Sequence, residues 1–295
     1  MAKTLPSNLI EIDRFQTPLR VVAGPGTGKT HALVALYADL VGSGVPRGRI
    51  LVLTFSTAAA GELERRIDER LLDSYDRAWI STFHSFCARL LRDHQPDPRR
   101  LLLSGFQEWV AMRQVLDEMD PALLGGLAPV RRSEAFAQDA LAFVALLKQN
   151  LLHPAGVALL AETGGSDRMR ALAAVYSAYQ AALEAAHLVD FRDLVMGAIS
   201  LLQSREGVLR ALRDRFSHIL VDEFQDVDPA QFSLLRLIAP PRARPRLVVV
   251  GDPDQSIYGF RGTLPRLLSH DFEITYGARS LSLDAGRRCP PSILA

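Results

Sequence analysis

Apolar positions along this chain come in two textures. Nearly unbroken apolar runs, Leu19 to Ala23, Ile50 to Phe55, His218 to Val221 and Arg246 to Val250, predict strands buried on both faces. Each run ends in a polar or glycine-rich cluster. Helix-compatible stretches, Thr30 to Tyr37 and Ala58 to Ile67, follow the first two. The segment Ala78 to Phe86 predicts a short strand whose end presents Thr82, Phe83 and His84, and Leu281 to Leu283 predicts a last strand. Strands alternating with helices give an α/β fold with a parallel sheet, whose ligands sit beyond the carboxyl ends of the strands.

From about Pro96 the period changes. Trp109, Met112, Leu116 and Met119 fall at helical spacing, as do Phe136, Ala140, Phe143, Leu147 and Leu151, then Leu172, Val175, Tyr176, Tyr179 and Leu183. Three or four amphipathic helices are implied, broken at Gly125-Gly126 and Gly164-Gly165. Stripes of this kind read as helix core, and no catalytic residue stands out between Asp97 and Leu188. The helical block is an all-helical subdomain inserted between two halves of the sheet.

The first strand carries the sharpest chemistry. Ala23-Gly24-Pro25-Gly26-Thr27-Gly28-Lys29-Thr30 lies between a strand and a helix, the order a phosphate-binding loop requires. Glycines let successive amides point into one concavity, and the helix starting near Lys29 adds its positive end. Lys29 would reach the β and γ phosphates, and the Thr30 hydroxyl would be one ligand of Mg²⁺. Ala23 stands where the usual pattern begins with glycine, and Gly24 beside it supplies the bend.

Other strand ends carry matching groups. Asp222 and Glu223 supply a metal ligand and a base or orienter for the attacking water. Gln225 and Gln255 are neutral amides suited to sensing a γ-phosphate, and Arg261 and Arg288 are candidate stabilisers of transition-state charge. The rings of Phe55, Phe83, His84, Tyr258 and Phe260 could stack on bases of a single strand, with Thr54 and Thr82 touching its phosphates. Each ring alone reads equally well as packing inward.

Composition narrows the field. With 34 Lys+Arg against 33 Asp+Glu there is no global basic field, so any nucleic-acid binding must be local. The two cysteines, Cys87 and Cys289, have no metal-ligand spacing and point to a reducing compartment. No apolar signal core or membrane-length run occurs, so the expectation is a cytoplasmic protein with no membrane partner.

In this order the clusters resemble the UvrD/Rep/PcrA group of superfamily I DNA helicases. Ala23 to Thr30 matches Walker A, Thr54-Phe55-Ser56 through Glu62 and Arg66 looks like motif Ia, and Thr82 to Ser85 is the Thr-Phe-His-Ser motif. Asp222 to Asp226 is similar to Walker B, Gly251 to Gly262 to motif III, and Leu283 to Ile293 to motif IV. The resemblance implies ATP hydrolysis coupled to 3′ to 5′ movement on single-stranded DNA and unwinding at a duplex junction. It implies a RecA-like P-loop domain 1A over residues 1–95 and 188–283, a helical domain 1B over 96–187, and the start of a second RecA-like domain, 2A, over 284–295.

By motif, Lys29 and Thr30 bind phosphate and Mg²⁺, Asp222 holds the metal, and Glu223 activates water. Gln255 couples the γ-phosphate to DNA and Arg288 contacts that phosphate from the second side. Phe55, Tyr258 and Phe260 form the stacking platform. Three positions depart from the pattern: Gln16 lies closer to Lys29 than an adenine-reading glutamine should, Ala58 replaces a lysine, and Arg287 stands where a tyrosine stacks on adenine. Motifs V and VI do not occur in these residues. The expectation is therefore that the chain binds ATP and hydrolyses it poorly alone, with a C-terminal RecA-like domain or a helicase–nuclease partner subunit completing it. The competing expectation is a non-hydrolysing ATP- and DNA-binding scaffold.

Overall fold

The computed structural model describes residues 18–24, 27–71, 78–95, 100–241, 246–255 and 267–283. They fall into two compact units, one formed by residues up to Phe86 and from Ile199 onward, the other by Cys87–Ala198.

The chain opens with β1 (Leu19–Ala23) and α1 (Lys29–Gly42), then β2 (Ile50–Thr54), α2 (Thr57–Arg70) and β3 (Trp79–Thr82). Helix α1 has almost no polar face, since Ala32 through Tyr37 are all buried. Helix α2 starts where the Ser56 side chain accepts a hydrogen bond from the Ala59 amide at 3.1 Å.

Strand β3 is shorter than the sequence suggests. Its last residue, Thr82, accepts the Ser85 amide on Oγ1 at 3.1 Å, and α3 (Phe83–His94) begins at once. A threonine that can satisfy a first-turn amide ends the strand four residues before the expected Phe86.

The second unit holds β4 (Leu101–Leu102), α4 (Gly105–Glu118), α5 (Pro121–Leu124), α6 (Glu134–Gln149), α7 (Pro154–Gly164), α8 (Asp167–Ala185) and β5 (Leu188–Val189). The chain returns through α9 (Phe191–Ser204) to α10 (Glu206–Arg215), β6 (His218–Val221), α11 (Pro229–Ile238), β7 (Arg246–Gly251), α12 (Phe272–Tyr276) and β8 (Arg279–Leu283).

The main sheet runs β3-β2-β6-β7-β1-β8, with every neighbouring pair parallel. Leu53 is in register with Val221, Val221 with Val249, and Arg20 with Val249, so β2 and β6 finish within a residue of each other while β7 and β1 run two and three residues further on the same side. One face, carrying Leu19, Val21, Ile50, Val52, Leu220, Val248 and Val250, packs with α1 and with Leu63 and Ile67 of α2. The alternate residues Leu51, Leu53, Ile219, Val221, Leu247 and Val249 are buried as well. A sheet covered on both faces explains why its strands read as continuous apolar runs.

The helical unit has its own core of Met112, Leu116, Phe136, Ala140, Val144, Tyr176, Tyr179 and Leu183 among others. Within α6 the buried positions are 136, 137, 140, 144 and 148, so Phe143 and Leu147 flank the core and do not centre it. The fifth of these is a lysine. Lys148 is buried with Nζ 2.6 Å from Asp190 Oδ2 and 2.7 Å from Asp193 Oδ1, and 5.5 Å from the Tyr179 ring centroid. Asp190 and Asp193 are already engaged with the first turn of α9, accepting the Arg192, Asp193 and Asp190 amides.

One ammonium thus bridges two buried acids and ties α6 to the start of α9. Lys148→Met would strand both carboxylates and should lower unfolding stability by about 3–5 kcal/mol, read from denaturant unfolding monitored by circular dichroism. A loss under about 1 kcal/mol would show that the triad is not the tie described.

Candidate nucleotide site

The turn after β1 is built to leave backbone donors free. Thr27 folds back on the strand end, donating from Oγ1 to the Gly24 carbonyl at 2.8 Å and from its amide to the same oxygen at 3.3 Å. Gly28 takes φ +97°, a left-handed conformation that suits glycine, and Lys29 opens α1 with no side-chain cap and no acid in the first turn. The uncapped amides and the helix dipole favour an anion there. Thr30 is half-buried in that first turn. Pro25 and Gly26 lie outside the described residues.

Lys29 is buried, yet its ammonium has three oxygen neighbours. Nζ lies 3.3 Å from the Ala23 carbonyl, 3.2 Å from Gln255 Oε1 and 3.5 Å from Asp252 Oδ2. Gln255 and Asp252 follow β7 directly, so parallel pairing of β1 with β7 joins two segments more than two hundred positions apart.

The end of β6 supplies the acids. Asp222 is buried, its amide donating to the Leu53 carbonyl at 2.9 Å. Glu223 follows with φ +50°, unusual for a residue with a Cβ, and its carbonyl accepts the Asp226 amide at 2.9 Å. The Gln225 side chain donates from Nε2 to Glu223 Oε2 at 2.7 Å and accepts the Asp252 amide on Oε1 at 2.9 Å. Both ends of that amide are engaged and Gln225 is buried.

Burial, and then the neighbouring Glu223 charge, push the Asp222 carboxyl up to about 7, against the pull of the Glu223 amide and Lys29. The same two causes, with Lys29 opposing, push Asp226 up to about 6. Asp252 Oδ2 faces the Lys29 ammonium at 3.5 Å, while Asp222 Oδ1 and Asp226 Oδ1 are buried with no hydrogen-bond partner among the described residues. Carboxylate oxygens left in this state are short of positive charge. A divalent cation beside Asp222 would meet that need. Among the described residues no three His, Cys, Asp or Glu side chains cluster as a metal site.

The residues expected to meet DNA divide. Thr54, Thr82 and Phe83 are 0%, 6% and 2% exposed, so the Phe83 ring packs inward and offers no face to a base. Its place as the first residue of α3 turns it into the unit's interior, which corrects the exposed strand-end position expected for it. Phe55 and His84 are half-buried. Tyr258, Phe260, Arg261, Arg287 and Arg288 lie outside the described residues, as does Gln16. Asp252 and Asp226 were not singled out from the sequence. The signal for Asp252 was there, an acid directly after the apolar run that ends at Gly251.

Comparison with known proteins agrees with this geometry. The family model for the UvrD/REP helicase N-terminal domain matches residues 6–273. The chain is 38% identical over 292 residues to the ATP-dependent DNA helicase UvrD1 of Mycobacterium tuberculosis, covering 95% of this chain and 36% of that protein. It is 33% identical over 282 residues to DNA helicase II of Escherichia coli, covering 94% of this chain and 37% of that protein. It is also 33% identical over 287 residues to the ATP-dependent DNA helicase PcrA of Staphylococcus aureus, with 94% and 37% covered. The chain therefore spans a little over a third of the length of the curated relatives it matches. The match over residues 6–273 covers most of the chain, and the chain belongs to the UvrD/REP helicase N-terminal domain family.

Proposed function

We propose that this chain is the ATP-binding part of a DNA motor that couples ATP hydrolysis to 3′ to 5′ movement on single-stranded DNA and to opening of the duplex ahead. One observation carries the reading: Lys29, in the first turn after β1, meets Gln255 and Asp252 at the end of β7, on the edge where β6 delivers Asp222 and Glu223. The sheet unit takes the role of domain 1A and the helical unit that of 1B. The family match and the names of the relatives support the substrate pair, ATP and DNA.

In this reading the triphosphate lies against the uncapped start of α1. Lys29 leaves Gln255 and Asp252 for the β and γ phosphates, which frees Gln255 to register the γ-phosphate. Thr30 and Asp222 would hold Mg²⁺, which supplies charge neutralisation at the phosphate oxygens. Glu223 orients the attacking water and accepts its proton. A second RecA-like domain, in the same protein or on a partner subunit, faces the nucleotide from the other side, and Phe55 and His84 line the single strand. The likeness to bacterial DNA helicases supports a cytoplasmic location.

Lys29→Ala should abolish ATP binding, measured with a fluorescent ATP analogue. Glu223→Gln should keep that binding and lower single-turnover hydrolysis by at least about 100-fold. Equal hydrolysis by Glu223→Gln and the wild type would favour the non-hydrolysing scaffold. Phe55→Ala should weaken single-stranded DNA binding by about 1–3 kcal/mol in fluorescence anisotropy, with nucleotide affinity unchanged.

The raised Asp222 carboxyl sets a pH dependence. Below about 7 a metal must displace the Asp222 proton, so Mg²⁺-dependent nucleotide affinity should rise with pH and level off above that value. The rise should reach up to about tenfold per pH unit and vanish in Asp222→Asn. Without metal the sign reverses: the folded chain holds a proton that the unfolded chain has lost, so stability falls as pH climbs from about 4 toward about 7. Thermal unfolding in EDTA across that range checks it.

A further inference from the structure

We propose that Gln225 is the positioning residue for Glu223 and, through the same amide, the link that fixes Glu223 relative to the Lys29-binding end of β7. This rests on the reading of Glu223 as the residue that orients the attacking water. The chain of contacts is continuous. Glu223 Oε2 accepts Gln225 Nε2 at 2.7 Å, Gln225 Oε1 accepts the Asp252 amide at 2.9 Å, and Asp252 Oδ2 lies 3.5 Å from Lys29 Nζ.

Three features make the amide more than a space-filler. Glu223 sits in a left-handed backbone conformation, in the turn closed by the Asp226 amide, so its side chain leaves the end of β6 with little regular structure to fix it. The one hydrogen bond recorded for its carboxylate among the described residues is the one from Gln225. Gln225 itself is buried, and its acceptor end is committed to a backbone amide on a different strand. A side-chain amide offers a donor and an acceptor at a fixed separation, which suits it to join two partners at once. Asparagine is one methylene too short to span the two partners, and glutamate keeps the acceptor while setting a second negative charge against Glu223.

The substitutions therefore separate the two halves of the link. Single-turnover ATP hydrolysis, binding of a fluorescent ATP analogue and hydrogen exchange at the Asp252 amide would be measured for the wild type, Gln225→Ala, Gln225→Glu, Glu223→Gln and the Glu223→Gln, Gln225→Ala double variant, all with single-stranded DNA present. Gln225→Ala should slow hydrolysis at least about 30-fold, leave nucleotide affinity within about twofold, and speed Asp252 exchange at least about tenfold. Gln225→Glu should slow hydrolysis to the same degree while Asp252 stays protected. In the double variant Gln225→Ala should add no further loss, because the group it positions is already gone.

Wild-type hydrolysis in Gln225→Ala, losses that multiply in the double variant, or a collapse of nucleotide affinity would each overturn the positioning role. Unchanged Asp252 exchange in Gln225→Ala would overturn the link. Unimpaired hydrolysis in Glu223→Gln alone would instead overturn the reading of Glu223. The exchange measurement, which needs no turnover, would still decide whether Gln225 joins the two strands.

Discussion

Parallel strand pairing gives this sheet a chemical direction. Every strand of the main sheet begins on one edge and ends on the other, and the register brings the ends of β1, β2, β6 and β7 to the same edge within three residues of one another. Side chains that follow the strands therefore collect without any loop having to reach for them. Ala23, Asp222, Glu223, Asp252 and Gln255 owe their proximity to that single constraint, and Lys29 is carried to them by the turn that β1 requires before α1.

The two units handle buried charge in opposite ways. In the helical unit Lys148 faces two acids at hydrogen-bonding distance, and the acids' remaining capacity goes to the start of α9, so the cluster is closed. At the sheet edge the balance is left open. Asp222 and Asp226 each keep a buried oxygen without a hydrogen-bond partner among the described residues, and Lys29 serves several oxygens, Asp252 Oδ2 among them, at 3.2 to 3.5 Å. A closed cluster stabilises the fold. An open one leaves buried carboxylate oxygens whose charge a cation would offset.

Most of the sheet was legible because strands buried on both faces must be apolar throughout, and because the glycines around Lys29 have a narrow physical meaning. The phosphate loop, the acids after β6 and Gln255 after β7 followed from those runs. What escaped was whatever depended on a partner distant in sequence. Lys148 occupies a core position in α6 by periodicity, yet nothing local says that Asp190 and Asp193 will receive it. Phe83 looked like the exposed end of a strand, and the Thr82 cap on Ser85 turned it into the first residue of a helix. Gln225 looked available for a ligand until Asp252, on another strand, was seen to occupy its oxygen.

The left-handed backbone at Glu223 has a consequence for the acid before it. In an extended strand consecutive side chains point to opposite faces of a sheet, so two neighbouring acids could never attend to the same molecule. Ending β6 with one residue at φ +50° breaks that alternation at a cost of about 1–2 kcal/mol, which a glycine would avoid only by giving up the carboxylate. A single dihedral angle thus releases Asp222 and Glu223 from the alternation that an extended chain would impose on neighbouring side chains.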